Sequence, residues 1–144
     1  MDKNIEVIKG GNHTDERGTI NFINDFDMQL VKRFYKIEHP DTSVVRGWRG
    51  HKIEQRWFHV IQGKFDISLI LIDNWEKPSA TLQRECFSLS SADNAVIHIP
   101  AGYASALQAR EPNSELIVFA DYPVSHASND DYLYPIDYFN INFK

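Results

Sequence analysis

Within residues 46–55 the chain gathers two guanidiniums (Arg46 and Arg49), an indole (Trp48), an imidazole (His51) and a carboxamide (Gln55). Guanidiniums take phosphates through paired hydrogen bonds, an indole offers a flat face to a ring, and an imidazole moves protons near neutral pH. The set suits an anionic substrate undergoing proton transfer. Two positions elsewhere extend it. Arg17 stands directly before a turn glycine, Gly18, from where a side chain can reach across a cavity mouth. Tyr35 shares one face of an alternating run with Val31, Arg33 and Ile37, and would bring a phenol to a cavity wall as proton donor. Each has a plainer reading: a solvated turn charge for Arg17, a half-buried tyrosine with a bonded hydroxyl for Tyr35, and a solvated ring for His51.

The elements that would hold these groups are short strands. Residues 5–8 and 19–23 flank turn-rich Gly10-Gly11-Asn12 and Asp15-Glu16-Arg17-Gly18, which reads as a bent edge strand or hairpin. Residues 31–37 form a strand stopped by His39-Pro40-Asp41. Residues 56–61 and 64–72 make a hairpin around Gly63, with Phe65, Ile67, Leu69 and Leu71 on one face. Further strands fall at 84–89, at 96–99 before Pro100-Ala101-Gly102, and at 116–120. No window carries a sustained helical period, and Pro135 limits any helix over 130–139 to a short one. Strands at this spacing, divided by Gly, Pro and Asn, predict an all-β antiparallel sandwich or barrel.

Composition limits what such a fold could do. A chain of 144 residues with 42% hydrophobic content supports one domain, 1–144, around one core. A net charge of -5 argues against a nucleic-acid partner, which would need a basic surface. No apolar run is long enough to suggest a membrane partner or a signal peptide. A single cysteine, Cys86, cannot form an internal disulfide, so a cytoplasmic setting is expected, with Cys86 read as a small buried hydrophobe. His13, His39, His59, His98 and His126 are expected at the surface or hydrogen-bonded, with His59 and His98 able to line a cavity if their strand faces turn inward.

The frame R-G-W-R-G-H at 46–51, with Gly63 twelve residues later and I-P-A-G at 99–102, resembles the two half-motifs of a cupin. The nearer resemblance is to the nucleotide-sugar branch: the dTDP-sugar 3,4-ketoisomerases (WxcM-like, FdtA-like) and, more distantly, the dTDP-4-dehydrorhamnose 3,5-epimerases. D-E-R-G at 15–18, V-K-R-F-Y-K-I at 31–37, D-Y-P at 121–123 and N-D-D-Y at 129–132 support it.

The resemblance implies a double-stranded β-helix, the jelly roll, assembled as a homodimer and holding a nucleotide-sugar substrate in the barrel. By position it implies catalytic roles for His51 as base, Tyr35 as acid or hydrogen-bond partner and Arg49. Arg17 and Arg46 would face the nucleotide or diphosphate. Trp48, Gln55, Tyr103 and Ser105 are further candidate substrate contacts, Trp48 by stacking on the base and Tyr103 at the cavity mouth; the plainer reading of Trp48, as of Trp57, is a core or dimer-surface aromatic, and that of Tyr103 is packing. A base would take the proton beside a ketone, an enediol would form, and a proton would return at the neighbouring carbon, with no redox cofactor. The ketoisomerases resemble R-G-x-H-x-H here, whereas Arg49 stands at the first histidine. A guanidinium is a poor base but stabilises an enediolate. Arg49, His51, Gln55 and Ser105 occupy the positions of a metal cupin's ligands, and one ligand in four predicts no metal. The expected function is a 3,4-ketoisomerase acting on a dTDP-4-keto-6-deoxyhexose for surface polysaccharide. The alternatives are a 3,5-epimerase-like enzyme or a sugar-nucleotide-binding cupin without turnover.

Overall fold

The structure, a computed structural model, describes residues 4–143. Among the described residues twelve strands run in chain order: β1 Glu6–Lys9, β2 Gly11–Asp15, β3 Gly18–Phe22, β4 Arg33–His39, β5 Val45–Gly50, β6 Arg56–Gln62, β7 Lys64–Leu71, β8 Glu85–Ser90, β9 Ala95–Ile99, β10 Tyr103–Ala109, β11 Ser114–Ala120 and β12 Tyr132–Leu133. One antiparallel sheet has the order β1-β9-β6-β11-β4, and the other β12-β5-β10-β7-β8. The remaining pair, β2 and β3, is a separate hairpin. Consecutive strands that pair outside their sequence neighbours, in two facing sheets, make a jelly roll.

Alternation along the strands decides which side chains fill the barrel. Phe58 and Val60 of β6, Phe65, Ile67 and Leu69 of β7, Ile97 and Ile99 of β9, Leu107 of β10, and Leu116 and Val118 of β11 form one buried cluster between the sheets. The turn joining β6 to β7 needs a glycine, because Gly63 has φ 74° and any Cβ there would run into Ser114.

A second apolar cluster lies on the outer face of the second sheet. Trp48, Ile70, Ile72, Ala104 and Ala106 pack there with Phe139, and Tyr134, Ile136 and Phe143 close over them. The C-terminal segment is tied down by reciprocal main-chain bonds between Trp48 and Tyr134 (3.1 and 3.0 Å). No helix occupies 131–139. A short 3-10 helix lies just before it, Val124–Asp130. Among the described residues no helix is long and apolar enough to cross a membrane.

Cys86 corrects one expectation. It is exposed on β8, which lies at the edge of its sheet, with Ser68 opposite at 3.8 Å between Oγ and Sγ.

Candidate functional site

Strand β5 contains a bulge that aims the basic residues. Ser105 of β10 pairs with Arg49 and Leu107 pairs with Arg46, so Gly47 and Trp48 together stand opposite the single residue Ala106. Arg46 and Arg49, three apart in sequence, therefore share the side of Ser105 and Leu107. Gly47 makes this close passage possible, since a Cβ there would lie 2.6 Å from that of Ala106.

Two adjoining hollows open on this side. The first, about 500 Å³, is bordered by Arg46, Ser105, Leu107 and Phe58 together with Tyr35, Arg49 and Arg56. The second, about 560 Å³, shares those last three and adds Arg33, His51 and Asp131, with Val124 and Ala127 of the 3-10 helix beside them. Both volumes fall within the range of small-molecule sites.

His51 follows β5, and its main chain is fixed on both sides: its N–H donates to the Tyr103 carbonyl at 3.2 Å, and its carbonyl accepts from Gly102 at 2.8 Å. The I-P-A-G turn thus holds the R-G-W-R-G-H segment in place. The side chain is 9% exposed. Its Nδ1 lies 2.7 Å from the main-chain oxygen of Asp130, which can only accept, so Nδ1 carries the hydrogen and Nε2 bears the lone pair. Among the described residues no group bonds to Nε2. Burial first, and then the charge of Arg56, push the imidazole down to about 4, so it is neutral at physiological pH. A neutral ring with a bare, buried Nε2 is the protonation state of a general base.

Around it the charges are ordered. Glu54, almost fully buried, accepts from Arg33 at 3.0 Å and from Arg56 at 2.5 Å. The guanidiniums of Arg33 and Arg56 also sit 5.2 and 5.9 Å from the centre of the Tyr35 ring, which holds the phenol between two cations. Arg49 pairs with Asp131 at 3.0 Å. Arg46 donates to Nε2 of His39 at 3.3 Å, and burial together with the Arg46 charge keeps that imidazole's pKa low. Among the described residues no carboxylate lies within ion-pair distance of Arg46, which leaves its charge available to an anion.

Of the residues expected at the site, the structure brings His51, Tyr35, Arg49, Arg46 and Ser105 to the two hollows. Trp48 also borders the first hollow, although its indole turns outward, and three others lie elsewhere. Arg17 is at the tip of the exposed β2-β3 hairpin, its guanidinium taken by Asp15 at 2.6 Å. The Trp48 indole is fully buried under the C-terminal segment, donating to the Ile136 carbonyl at 3.3 Å and crossing Phe139 edge-on. Gln55 bridges Asp121, at 3.1 Å, to His98, at 2.8 Å. His98 in turn stacks on Trp57, so it and Gln55 belong to the outside of the first sheet. His59 alternates with Phe58 and Val60 and binds the Ala95 carbonyl, so it too points away from the barrel. Tyr103 is packed into the core cluster, and burial raises its pKa. His39, expected at the surface or satisfied, is buried with Nδ1 unbonded.

The structure adds Arg33, Glu54, Arg56, Asp130 and Asp131. Arg33 stood out as an arginine on a face otherwise apolar, and Asp130 and Asp131 stood in N-D-D-Y at 129–132 with no role read for them. The rest acquire their meaning from partners distant in sequence. Among the described residues, no three His, Cys, Asp or Glu side chains are grouped as metal ligands would be.

Comparison with known proteins places this architecture. The sequence model of the family described as FdtA: WxcM-like, C-terminal matches residues 3–144. No match is found among curated protein sequences. The crystal structure of QdtA, a sugar 3,4-ketoisomerase from Thermoanaerobacterium thermosaccharolyticum in complex with TDP, is similar at 20% identity and TM-score 0.71, over 97% of this chain and 95% of that one. A histidine-to-asparagine variant of QdtA in complex with TDP-4-keto-6-deoxyglucose gives TM-score 0.69 at 20% identity, over 97% and 94%. The dTDP-4-dehydrorhamnose 3,5-epimerase from Sulfolobus tokodaii gives TM-score 0.76 at 18% identity, over 97% and 82%. At these identities the likeness to solved structures is one of fold.

Proposed function

Because the chain belongs to the FdtA, WxcM-like C-terminal family, we propose that it is a nucleotide-sugar isomerase of the 3,4-ketoisomerase type, acting on a dTDP-4-keto-6-deoxyhexose. The observation that carries this reading is the bare Nε2 of His51, buried beside a hollow bordered by Arg33, Arg49 and Arg56. Nε2 takes the proton from C3, next to the ketone. The electrons move into a C3–C4 enediolate whose negative oxygen is stabilised by the guanidiniums. The protonated ring then delivers the proton to C4, while Tyr35 passes the hydroxyl hydrogen between the two oxygens. Atoms and charge balance with no redox partner. Arg46, whose charge is not offset, suits the diphosphate in the first hollow, with Ser105 beside it. QdtA, a structural neighbour, is described with TDP and, as a variant, with TDP-4-keto-6-deoxyglucose, which supports this choice of substrate.

The homodimer implied by the resemblance is part of the proposal. It would cover exposed apolar side chains such as Ile20, Met28, Leu30 and Phe34, and light scattering on a sizing column tests it.

The reaction is tested by incubating the protein with dTDP-4-keto-6-deoxyglucose in heavy water and following the sugar by proton NMR. A ketone moved to C3 supports the proposal. Deuterium with inverted stereochemistry and an unmoved ketone would make the chain an epimerase. Binding without exchange would make it a sugar-nucleotide binder.

A further inference from the structure

The tautomer of His51 is governed by a residue 79 positions away. Asp130 ends the 3-10 helix and is 1% exposed. Its main-chain oxygen receives Nδ1–H of His51, as described above. Its carboxylate does something separate: it accepts the N–H groups of Lys52 at 2.7 Å, Ile53 at 2.9 Å and Glu54 at 2.7 Å. Three successive amides converging on one carboxylate form an anion nest. The side chain therefore grips the backbone immediately after His51 while the carbonyl of the same residue grips the ring.

The arrangement differs from a carboxylate–histidine pair. The charge is used on amide dipoles, and a neutral carbonyl faces the imidazole. A facing carboxylate would draw a second proton onto the ring, whereas a carbonyl orients the ring and leaves it neutral. The neighbouring residue, Asp131, reaches Arg49, so the placement of this dipeptide bears on both the base and the Arg49 guanidinium.

We propose that Asp130 is a positioning residue: its carbonyl holds His51 as the Nδ1–H tautomer with Nε2 free, and its carboxylate, clamped on the amides of 52–54, keeps that carbonyl in place. The proposal rests on the reading of His51 as the base, but its primary test needs no substrate.

That test uses full-length protein labelled with 15N-histidine, with His51 assigned by its loss from the His51→Asn spectrum. Two-bond proton–nitrogen correlations read the tautomer. The wild type is expected to show Nδ1–H alone across neutral pH. Asp130→Ala is expected to show a mixture or the other tautomer, and Asp130→Asn, which keeps one acceptor for the nest, an intermediate state. Loss of tautomer control can cost up to about 10⁴ in kcat, so Asp130→Ala should lower kcat at least about tenfold with KM changed less than about threefold, and Asp130→Asn should recover part of it. An Nε2–H wild type, or a tautomer unchanged in both variants, overturns the proposal. If Asp130→Ala fails to fold, the wild-type and Asp130→Asn spectra still decide. Absence of turnover with the tautomer behaving as expected would overturn the assigned reaction and leave the role of Asp130 standing.

Discussion

Nδ1 of His51 and Oε2 of Glu54 are 3.8 Å apart, yet the imidazole gives its hydrogen to the Asp130 carbonyl at 2.7 Å. Glu54 is already engaged by Arg33 and Arg56. A carboxylate neutralised in this way does little to draw a second proton onto the ring, while burial and the Arg56 charge oppose one.

The first consequence is kinetic. A base whose pKa is lowered to about 4 stays unprotonated well into the acid range. The kcat/KM of the free enzyme should hold its plateau below pH 6.5 and fall only as pH approaches about 4. An acid limb centred on 6.5 in the pH–rate profile would show the ring to be solvated.

Stability carries the same shift with a definite sign. The unfolded ring titrates near 6.5 and the folded ring near about 4, so between these values the unfolded chain binds more protons and stability falls as pH drops. Above 6.5 the contribution is fully present, and across the window the loss is on the order of 3 kcal/mol. Urea titrations on either side of the window, compared with His51→Asn, measure it. Equal losses in the two proteins would assign the effect to other groups.

Replacing Glu54 isolates the charge arrangement. Glu54→Gln leaves two largely buried guanidiniums facing a neutral amide, and removing one partner from a buried ion pair costs about 3–5 kcal/mol. Chemical denaturation reads this directly. A change well under about 1 kcal/mol would mean that water screens the site.

Chemistry and binding should separate by residue. His51→Asn is expected to abolish turnover while nucleotide affinity stays within a few fold. Arg46→Ala should weaken nucleotide binding by about 1.5–3 kcal/mol, the range for a charge-assisted hydrogen bond, with kcat less affected. Calorimetric titration with TDP and turnover assays on the same samples distinguish the two. Full activity in His51→Asn would remove the mechanism.

Trp48→Ala should act on folding alone. The indole is fully buried between the second sheet and the C-terminal segment, and truncation of such a residue costs about 3–5 kcal/mol. Thermal unfolding should shift strongly, with TDP affinity in the remaining folded protein unchanged. A selective loss of affinity would return Trp48 to the ligand.

What the sequence disclosed follows from the range of the interactions involved. The β6-β7 hairpin was legible because Gly63 and the alternation of Phe65, Ile67 and Leu69 are local signals. The jelly roll was legible through a resemblance that spans the chain, and the same resemblance had pointed to Arg46, Arg49 and His51, which border two adjoining hollows. Strand β10 went unseen because Tyr103–Ala109 is largely small residues, whose burial comes from the strands on either side. Glu54 carried no signal, and Asp130 stood in the quoted N-D-D-Y without a role, because the roles of both are defined by partners that folding brings to them. Gln55 turns to the outside of the first sheet, and the Trp48 indole packs outward although its residue borders the first hollow, because proximity in sequence to His51 does not determine which way a side chain leaves the chain.

Strand β5 shows what one inserted residue is worth. Strict alternation from Arg46 would send Trp48 and Gly50 to the barrel side and Arg49 to the opposite side. The doubled position opposite Ala106 reverses the parity after Gly47, so the indole caps the outer core while Arg49 and His51 turn toward the ligand space. Pairing the same residues without the bulge would exchange the two sets, so the local pairing of this motif constrains it as strictly as its residue types do.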